Sequence, residues 1–260
     1  MLKAFSTAAT GMDAQQTMID TIANNLANVN TNGFKRNHVN FQDLLYLKMR
    51  ESDREVATGV TAPSGLEVGS GVRVASTTRI FTVGDVESTG NDLDVAIQGD
   101  GFFKVTMPDG EERYTRDGAF QKDANGLLVT ASGYQISPGI TVPEDATMVD
   151  IASDGTVSVQ TPAGNQVIGT LEMYRFANPS GLSAEGGNLY RETEASGSAI
   201  AGKAGEGGYG SILSKYLEKS NVHMVTELVN LINAQRGYEI NSRTIRTGDN
   251  ILRQLSELVR

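Results

Sequence analysis

The chain has 260 residues, 39% of them apolar, with Gly at 29 positions, Pro at 6 and no Trp. Its formal net charge is −9 and it holds no cluster of Lys and Arg, which excludes a nucleic-acid partner. The absence of Cys excludes disulfides, thiolate metal sites and a cysteine nucleophile.

This length allows one large core or two modest ones, and the Gly content predicts many turns and short strands. No stretch approaches the roughly 18 consecutive apolar residues of a spanning helix. The opening MLKAFSTAATGMDAQQ has one Lys, no apolar h-region and no cleavage pattern. The expectation is a chain that is either cytoplasmic or exported by a route that leaves its N-terminus intact.

From Leu2 to Val29 the pattern predicts one helix. Phe5, Met12, Ile19 and Leu26 mark one seam at heptad spacing; Ala8, Gln15, Ile22 and Val29 mark a second. Asn30-Thr31-Asn32-Gly33 ends it, with Gly33 suited to a left-handed turn. Asn24, Asn25 and Asn28 are costly inside a helix, each by several tenths of a kcal/mol relative to Ala. Two readings stand for them: fraying near the helix end, or amides that bond to neighbouring chains and set the register.

Between Phe41 and Glu87 short apolar segments are punctuated by Gly59, Pro63, Gly65, Gly69, Gly71 and Gly84, which reads as an extended hairpin or loop with little core of its own. From Asp94 to Ala177 strand candidates cover 94–97, 101–105, 127–130 and 167–176. They are separated by the turn residues of 108–110, 125–126, 154–155 and 163–165, a spacing that favours a compact antiparallel β domain. Its expected core is Val95, Ile97, Phe103, Val105, Phe120, Leu128, Val149, Ile151, Leu171 and Tyr174. Residues 196–210 read as a flexible Gly/Ser/Ala linker.

Beyond it a final helix starts near Ser220-Asn221, a fair N-cap, and runs to the end. Met224, Leu231, Tyr238, Ile245, Leu252 and Val259 follow one another at intervals of seven. The companion seam, Glu227, Ala234, Asn241, Gly248 and Leu255, offers only one good knob, and Val225, Leu228, Val229 and Ile232 widen the apolar face early on. Gly237 and Gly248 each weaken this helix by about 1 kcal/mol relative to Ala. A lone pair of such helices buries too little apolar surface to offset its ordering, so the ends are expected to order within a polymer. An intramolecular helical hairpin closing a monomer is the competing reading. Arg246, Arg253 and Arg260, also seven apart, form either a solvated face or a stripe facing a lumen or an acidic surface of another subunit.

The expected fold class is therefore α+β: long N- and C-terminal helices forming a coiled-coil-like inner layer, a central antiparallel β domain and an extended hairpin or loop. The expected divisions are 1–40, 41–87, 88–195, 196–219 and 220–260. The residues expected to carry assembly are Phe5, Met12, Ile19, Ile22, Asn24, Asn25, Leu26 and Asn28 at the N-terminal end. At the C-terminal end they are Met224, Leu228, Leu231, Ile232, Tyr238, Ile245, Leu252, Leu255 and Val259.

The residues give no support to catalysis. His38 and His223 lack a second ligand at metal spacing, and no nucleophile elbow occurs. Gly205 to Gly210 superficially resembles a phosphate loop but lacks the Gly-Lys-Ser/Thr ending. Asp92, Asp94 and Asp123 stand in turn chemistry rather than in an EF-hand loop. No enzyme, metal, cofactor or small-molecule substrate is expected.

Three sets of residues resemble one family. They are Gly11 to Gln16 with Ile22 to Arg36; Asp94 to Phe103 with Tyr114 to Phe120; and Ser220 to Val222 with Glu227 to Asn230 and Gln235 to Glu239. Together, and in this order, they resemble the bacterial flagellar rod and hook proteins over nearly the whole chain. The length and the segment Pro63 to Arg73 are similar to the distal-rod branch. A proximal rod or hook subunit is the alternative within the family, and an extracellular binding or adhesive module oligomerising through its helices is the alternative outside it.

The resemblance implies a subunit that stacks helically with itself into a hollow driveshaft in the basal body across the periplasm, exported by the flagellar apparatus without a cleaved signal. It further implies proximal rod and hook-side axial proteins and surrounding basal-body ring proteins as partners. Phe41, Leu44 and Leu45 are similar to the element such subunits present to the export gate; a solvent-shielded anchor at the base of the hairpin leaves the same pattern. The region 46–66 resembles an insertion that contacts neighbouring subunits.

Overall fold

In a computed structural model, residues 2–50, 55–57, 60–61 and 65–258 are described. The chain is α+β, with helix α1 (Leu2–Ala27), helix α2 (Met224–Leu258) and a β-rich middle. It divides into two compact units. One contains Met1–Leu26, Asn37–Thr78 and His223–Arg260; the other contains Ala27–Arg36 and Arg79–Val222.

In the first unit α1 ends two residues before the expected boundary, at Ala27. Asn25 is buried and is used within the chain. Its Nδ2 donates to the Asn37 carbonyl and its Oδ1 accepts from the Asn37 amide, both at 2.9 Å. This two-way bond to one backbone residue is a physical reason for an amide where helix propensity disfavours one. Strand Asn37–Asp43 pairs with Val72–Arg79, Leu47–Arg50 with Leu66–Val68, and Glu55–Ala57 with Val60–Thr61. Pro63 and Ser64 of the segment that resembles the distal-rod branch lie outside the described residues.

The second unit holds the main core. Its principal sheet runs Phe120–Lys122, Leu128–Thr130, Gln135–Ile136, Phe103–Thr106, Glu112–Thr115, Leu189–Arg191 and Ser183–Gly186, with every neighbouring pair antiparallel. A three-stranded sheet of Met148–Ile151, Thr156–Thr161 and Gly164–Thr170 stands beside it. All ten residues expected in the core are buried. A second cluster of aromatic rings, Phe102, Tyr114, Tyr174, Phe176 and Tyr190, packs largely edge-on at centroid separations of 4.8 to 5.9 Å.

Two readings of the sequence are corrected here. The stretch 196–219, read as a linker, contains three strands: Ile200–Gly202 pairs with Met173–Arg175, Ser211–Ser214 with Val95–Gln98, and Tyr216–Glu218 with Val86–Ser88. Ala204 and Ile212 are core residues. The glycines of 205–208 make a tight turn with positive φ at Gly205, Gly207 and Gly208, which returns Tyr209 onto Gly202 and over the Arg175 guanidinium. Composition alone could not separate a turn-rich strand pair from a linker. The C-terminal helix begins at Met224, so Ser220-Asn221 does not cap it. Asn221 instead donates to the carbonyls of Ile80 and Thr82 and accepts the Arg36 amide at 2.8 Å.

Those Asn221 bonds border a buried ionic cluster. Lys35 Nζ lies 2.5 Å from Glu218 Oε1 and donates to the Thr82 carbonyl at 2.7 Å. Arg116 reaches Glu218 Oε2 at 2.9 Å and spends its other protons on the carbonyls of Gly99, Gly101 and Ile97. The Gly84 amide also donates to Glu218 Oε1. All three charged side chains are almost wholly out of water. Two cations face one carboxylate, and the surplus positive charge is met by the negative ends of four backbone carbonyls. Burial pushes the Lys35 amine down to about 8, with Arg116 pushing the same way and Glu218 opposing.

Glu218→Ala leaves two buried cations unpaired and is expected to cost about 3–5 kcal/mol of unfolding free energy in urea titration. Lys35→Met, which keeps the Arg116 pair, is expected to cost clearly less; equal losses would show that Lys35 is the indispensable partner. Because the folded chain releases the Lys35 proton at a lower pH than the unfolded chain, this group's contribution rises with pH between about 8 and 10.5. The unaltered protein should therefore gain stability relative to Lys35→Met across that window, measured as the difference between two melting curves at each pH. Gly118 lies against the Val95 carbonyl, 1.7 Å from where a Cβ would sit. Gly118→Ala is expected to cost about 1–3 kcal/mol by forcing those backbones apart, read by the same titration.

Candidate functional site

The long helices offer an extended surface for association. In this chain α1 and α2 run antiparallel and meet largely through small residues, with Phe5 the member of the α1 apolar heptad packed onto Gly248. A Cβ added at Gly11 would touch Asn241, one at Gly237 would touch Gln15, and one at Gly248 would stand 2.5 Å from the Phe5 ring. Ala8, Ile22 and Ala234 are buried, as is Glu227. The in-chain contact thus uses the companion seams, Ala8-Gln15-Ile22 and Glu227-Ala234-Asn241-Gly248, which look weak by knob size. Glycine and alanine there let two helix backbones approach closely, and the Gly237 and Gly248 helix penalties acquire a packing reason.

The stronger heptad of α2 is left partly to the outside. Met224, Tyr238 and Leu252 are exposed, and Leu231 and Ile245 are half-buried. Leu228 and Ile232 are also exposed, with Val225 at 75%, Val229 at 51% and Ile240 at 64% exposure making the outer face of α2 openly apolar. On α1, Phe5, Met12, Ile19 and Leu26 are all half-buried. Leu255 lies in the helix with its side chain outside the described residues, as is Val259 entirely. A helix pair satisfied by itself would not present such a face to water.

Asn24 is exposed, and Asn28, in the turn after α1, accepts a bond from Thr31 Oγ1 at 3.1 Å. Phe41 stands in strand Asn37–Asp43, Leu44 is half-buried and Leu45 is 89% exposed. With Tyr46, Leu47, Met49 and Leu66 it makes a second exposed apolar patch in the first unit. Arg246 and Arg253 are exposed; Arg253 pairs with Asp249 on the same helix at 3.0 Å, and Arg260 lies outside the described residues. Among the described residues no group of three or more potential ligands could hold a metal ion.

Sequence reasoning missed the ionic cluster of the second unit. Lys35 stands beside Arg36 and Glu218 beside Lys219, as ordinary surface charges do, and the ion-pair partners lie 102 and 183 residues apart, so no local mark distinguishes them.

Three family signatures match the chain. The flagella basal body rod protein signature covers residues 5–35, the flagellar hook protein FlgE/F/G D1 domain covers 96–159, and the flagellar basal body rod FlgEFG protein C-terminal signature covers 213–258. The flagellar basal-body rod protein FlgG of Buchnera aphidicola subsp. Acyrthosiphon pisum is 48% identical, over 99% of this chain and 100% of its own length. That of Borreliella burgdorferi is 47% identical over 97% of both chains, and that of Bacillus subtilis 40% identical over 100% of both. The Bacillus subtilis flagellar hook-basal body complex protein FlhP is 34% identical over 97% of both. With these identities along its whole length, and with family signatures on both helices and on the β domain, the chain belongs to the FlgG family of flagellar basal-body rod proteins, structural subunits rather than enzymes.

Proposed function

We propose that this distal-rod subunit polymerises helically with copies of itself into a hollow shaft, through α1 and α2 packed as a coiled-coil-like inner layer. The observation that carries this reading is the outer face of α2, apolar and exposed after the in-chain helix contact has been made. Helical stacking supplies each such face with a neighbour and repeats the same small contacts around the tube. Torque applied at one end is then shared among many interfaces, none of which has to be strong. A closed monomeric hairpin would leave the same face in water.

In that role the shaft transmits motor torque towards the hook and leaves a channel for exported subunits. Proximal rod and hook-side axial proteins bound it at its two ends, and basal-body ring proteins surround it across the periplasm. Phe41, Leu44 and Leu45 act as the element presented to the export gate; the exposure of Phe41 and Leu45 supports access to them. The exposed patch of Leu45, Tyr46, Leu47 and Met49 meets neighbouring subunits in the assembled shaft.

Electron microscopy of the purified full-length chain across concentration tests the polymer. Straight hollow tubes are expected from the unaltered chain and none from Val229→Asp/Ile232→Asp. Because both side chains face water in the single subunit, the double variant should unfold within about 0.5 kcal/mol of the parent. Tubes of ordinary form from that variant, or a parent that stays monomeric at every concentration, would reject the reading.

A further inference from the structure

Two pairs of opposite charges stand on the outward sides of the terminal helices. Asp13 and Asp20 are exposed on α1, seven residues apart. At 3.6 residues per turn they fall about half a turn from Gly11 and Gln15, the residues that meet α2 in the same chain. Neither makes an ion pair within the described residues; Asp20 accepts only the Gln16 amide at 3.1 Å. Arg236 and Arg243 are exposed on α2, also seven apart, on the side turned away from α1 and among Val229, Ile232 and Ile240. They too lack an ion pair within the described residues, whereas Arg253 already has Asp249.

We infer that copies of this chain dock with the outer face of α1 from one subunit antiparallel to the outer face of α2 from the next, pairing Asp13 with Arg243 and Asp20 with Arg236. The inference rests on the polymer reading and specifies its contact. Both intervals span roughly 10.5 Å along a helix, so the two pairs form together or not at all. Ala9 and Ala23, exposed on the same side of α1, leave room for the apolar side chains of α2. In the chain itself Gly11 meets Asn241 and Gln15 meets Gly237. The inter-subunit pairing lies about one helical turn from that register, so the contact between copies nearly repeats the geometry of the contact within one. Acid on one helix and base on the other make the contact head-to-tail, which propagates instead of closing as a dimer. The same charges oppose the pairing of two identical α2 faces.

Charge reversal tests this. Asp13→Lys/Asp20→Lys and Arg236→Glu/Arg243→Glu replace exposed groups with good helix formers, so both variants should fold as the parent does by circular dichroism. Each alone is expected to raise the critical concentration for tubes about tenfold or more, since two attractions become repulsions. An equal mixture of the two should assemble, as each supplies the face that the other needs. A chain carrying all four substitutions should assemble alone, and about 1 M salt should weaken the parent's assembly. Normal tubes from either reversal alone, or folded variants that stay apart when mixed, would overturn the pairing and leave the polymer standing. No tubes from the parent would overturn the polymer and the pairing with it.

Discussion

Three distant passes of the second unit are held at one point by charge taken out of water. Lys35 follows the turn that ends the N-terminal helix, Glu218 closes the last strand before the C-terminal helix, and Arg116 lies between two strands of the principal sheet. Burying such groups singly would cost several kcal/mol each, so none is tolerable without the others. Their hydrogen bonds reach Thr82, Gly84, Ile97, Gly99 and Gly101, and the neighbouring Asn221 adds Ile80, Thr82 and Arg36. The backbones concerned are mostly loops, whose polar groups have no sheet partner and find their satisfaction here.

Several of the segments that resemble the family meet at this cluster. Gly33-Phe34-Lys35-Arg36, Gln98 to Phe102, Thr115 to Gly118 and Ser220 to Val222 stand far apart in the chain, yet each contributes to this cluster or its border. Gly33 at φ +66 sends its amide to the Glu218 carbonyl, and Gly99 and Gly101, both at positive φ, aim carbonyls at Arg116. Asn188, itself at φ +60, donates to both the Asn32 carbonyl and the Asp117 carboxylate. Burial pushes Asp117 up, against the Ala119 amide and Asn188 bonds that favour its charged form.

The terminal helices show the opposite economy. Their contact within the chain is made mainly by Ala, Gly and amide side chains, with Phe5 and Ile22 of α1, and many of the larger apolar groups of α2 are kept outward. A helix pair optimised for the single subunit would do the reverse. Weak in-chain contact with a strong outer face suits a part that completes its packing in an assembly, and the outward Asp and Arg pairs add direction to that packing.

Local and periodic signals were legible in the residues alone. Heptads announced both long helices, turn dipeptides and β-branched runs announced the antiparallel domain, and Gly33 announced the left-handed turn after α1. These depend on neighbours a few positions away, which a sequence displays directly. Tertiary structure decided what depends on distant partners. It turned the Gly-rich stretch 196–219 into strands, because Ile212 and Ala204 fill a core assembled elsewhere. It moved the start of α2 to Met224, because Asn221 serves Ile80, Thr82 and Arg36 rather than a helix end. It also chose which heptad seam faces inward, since close approach of two helices rewards small side chains that hydrophobic periodicity counts as gaps.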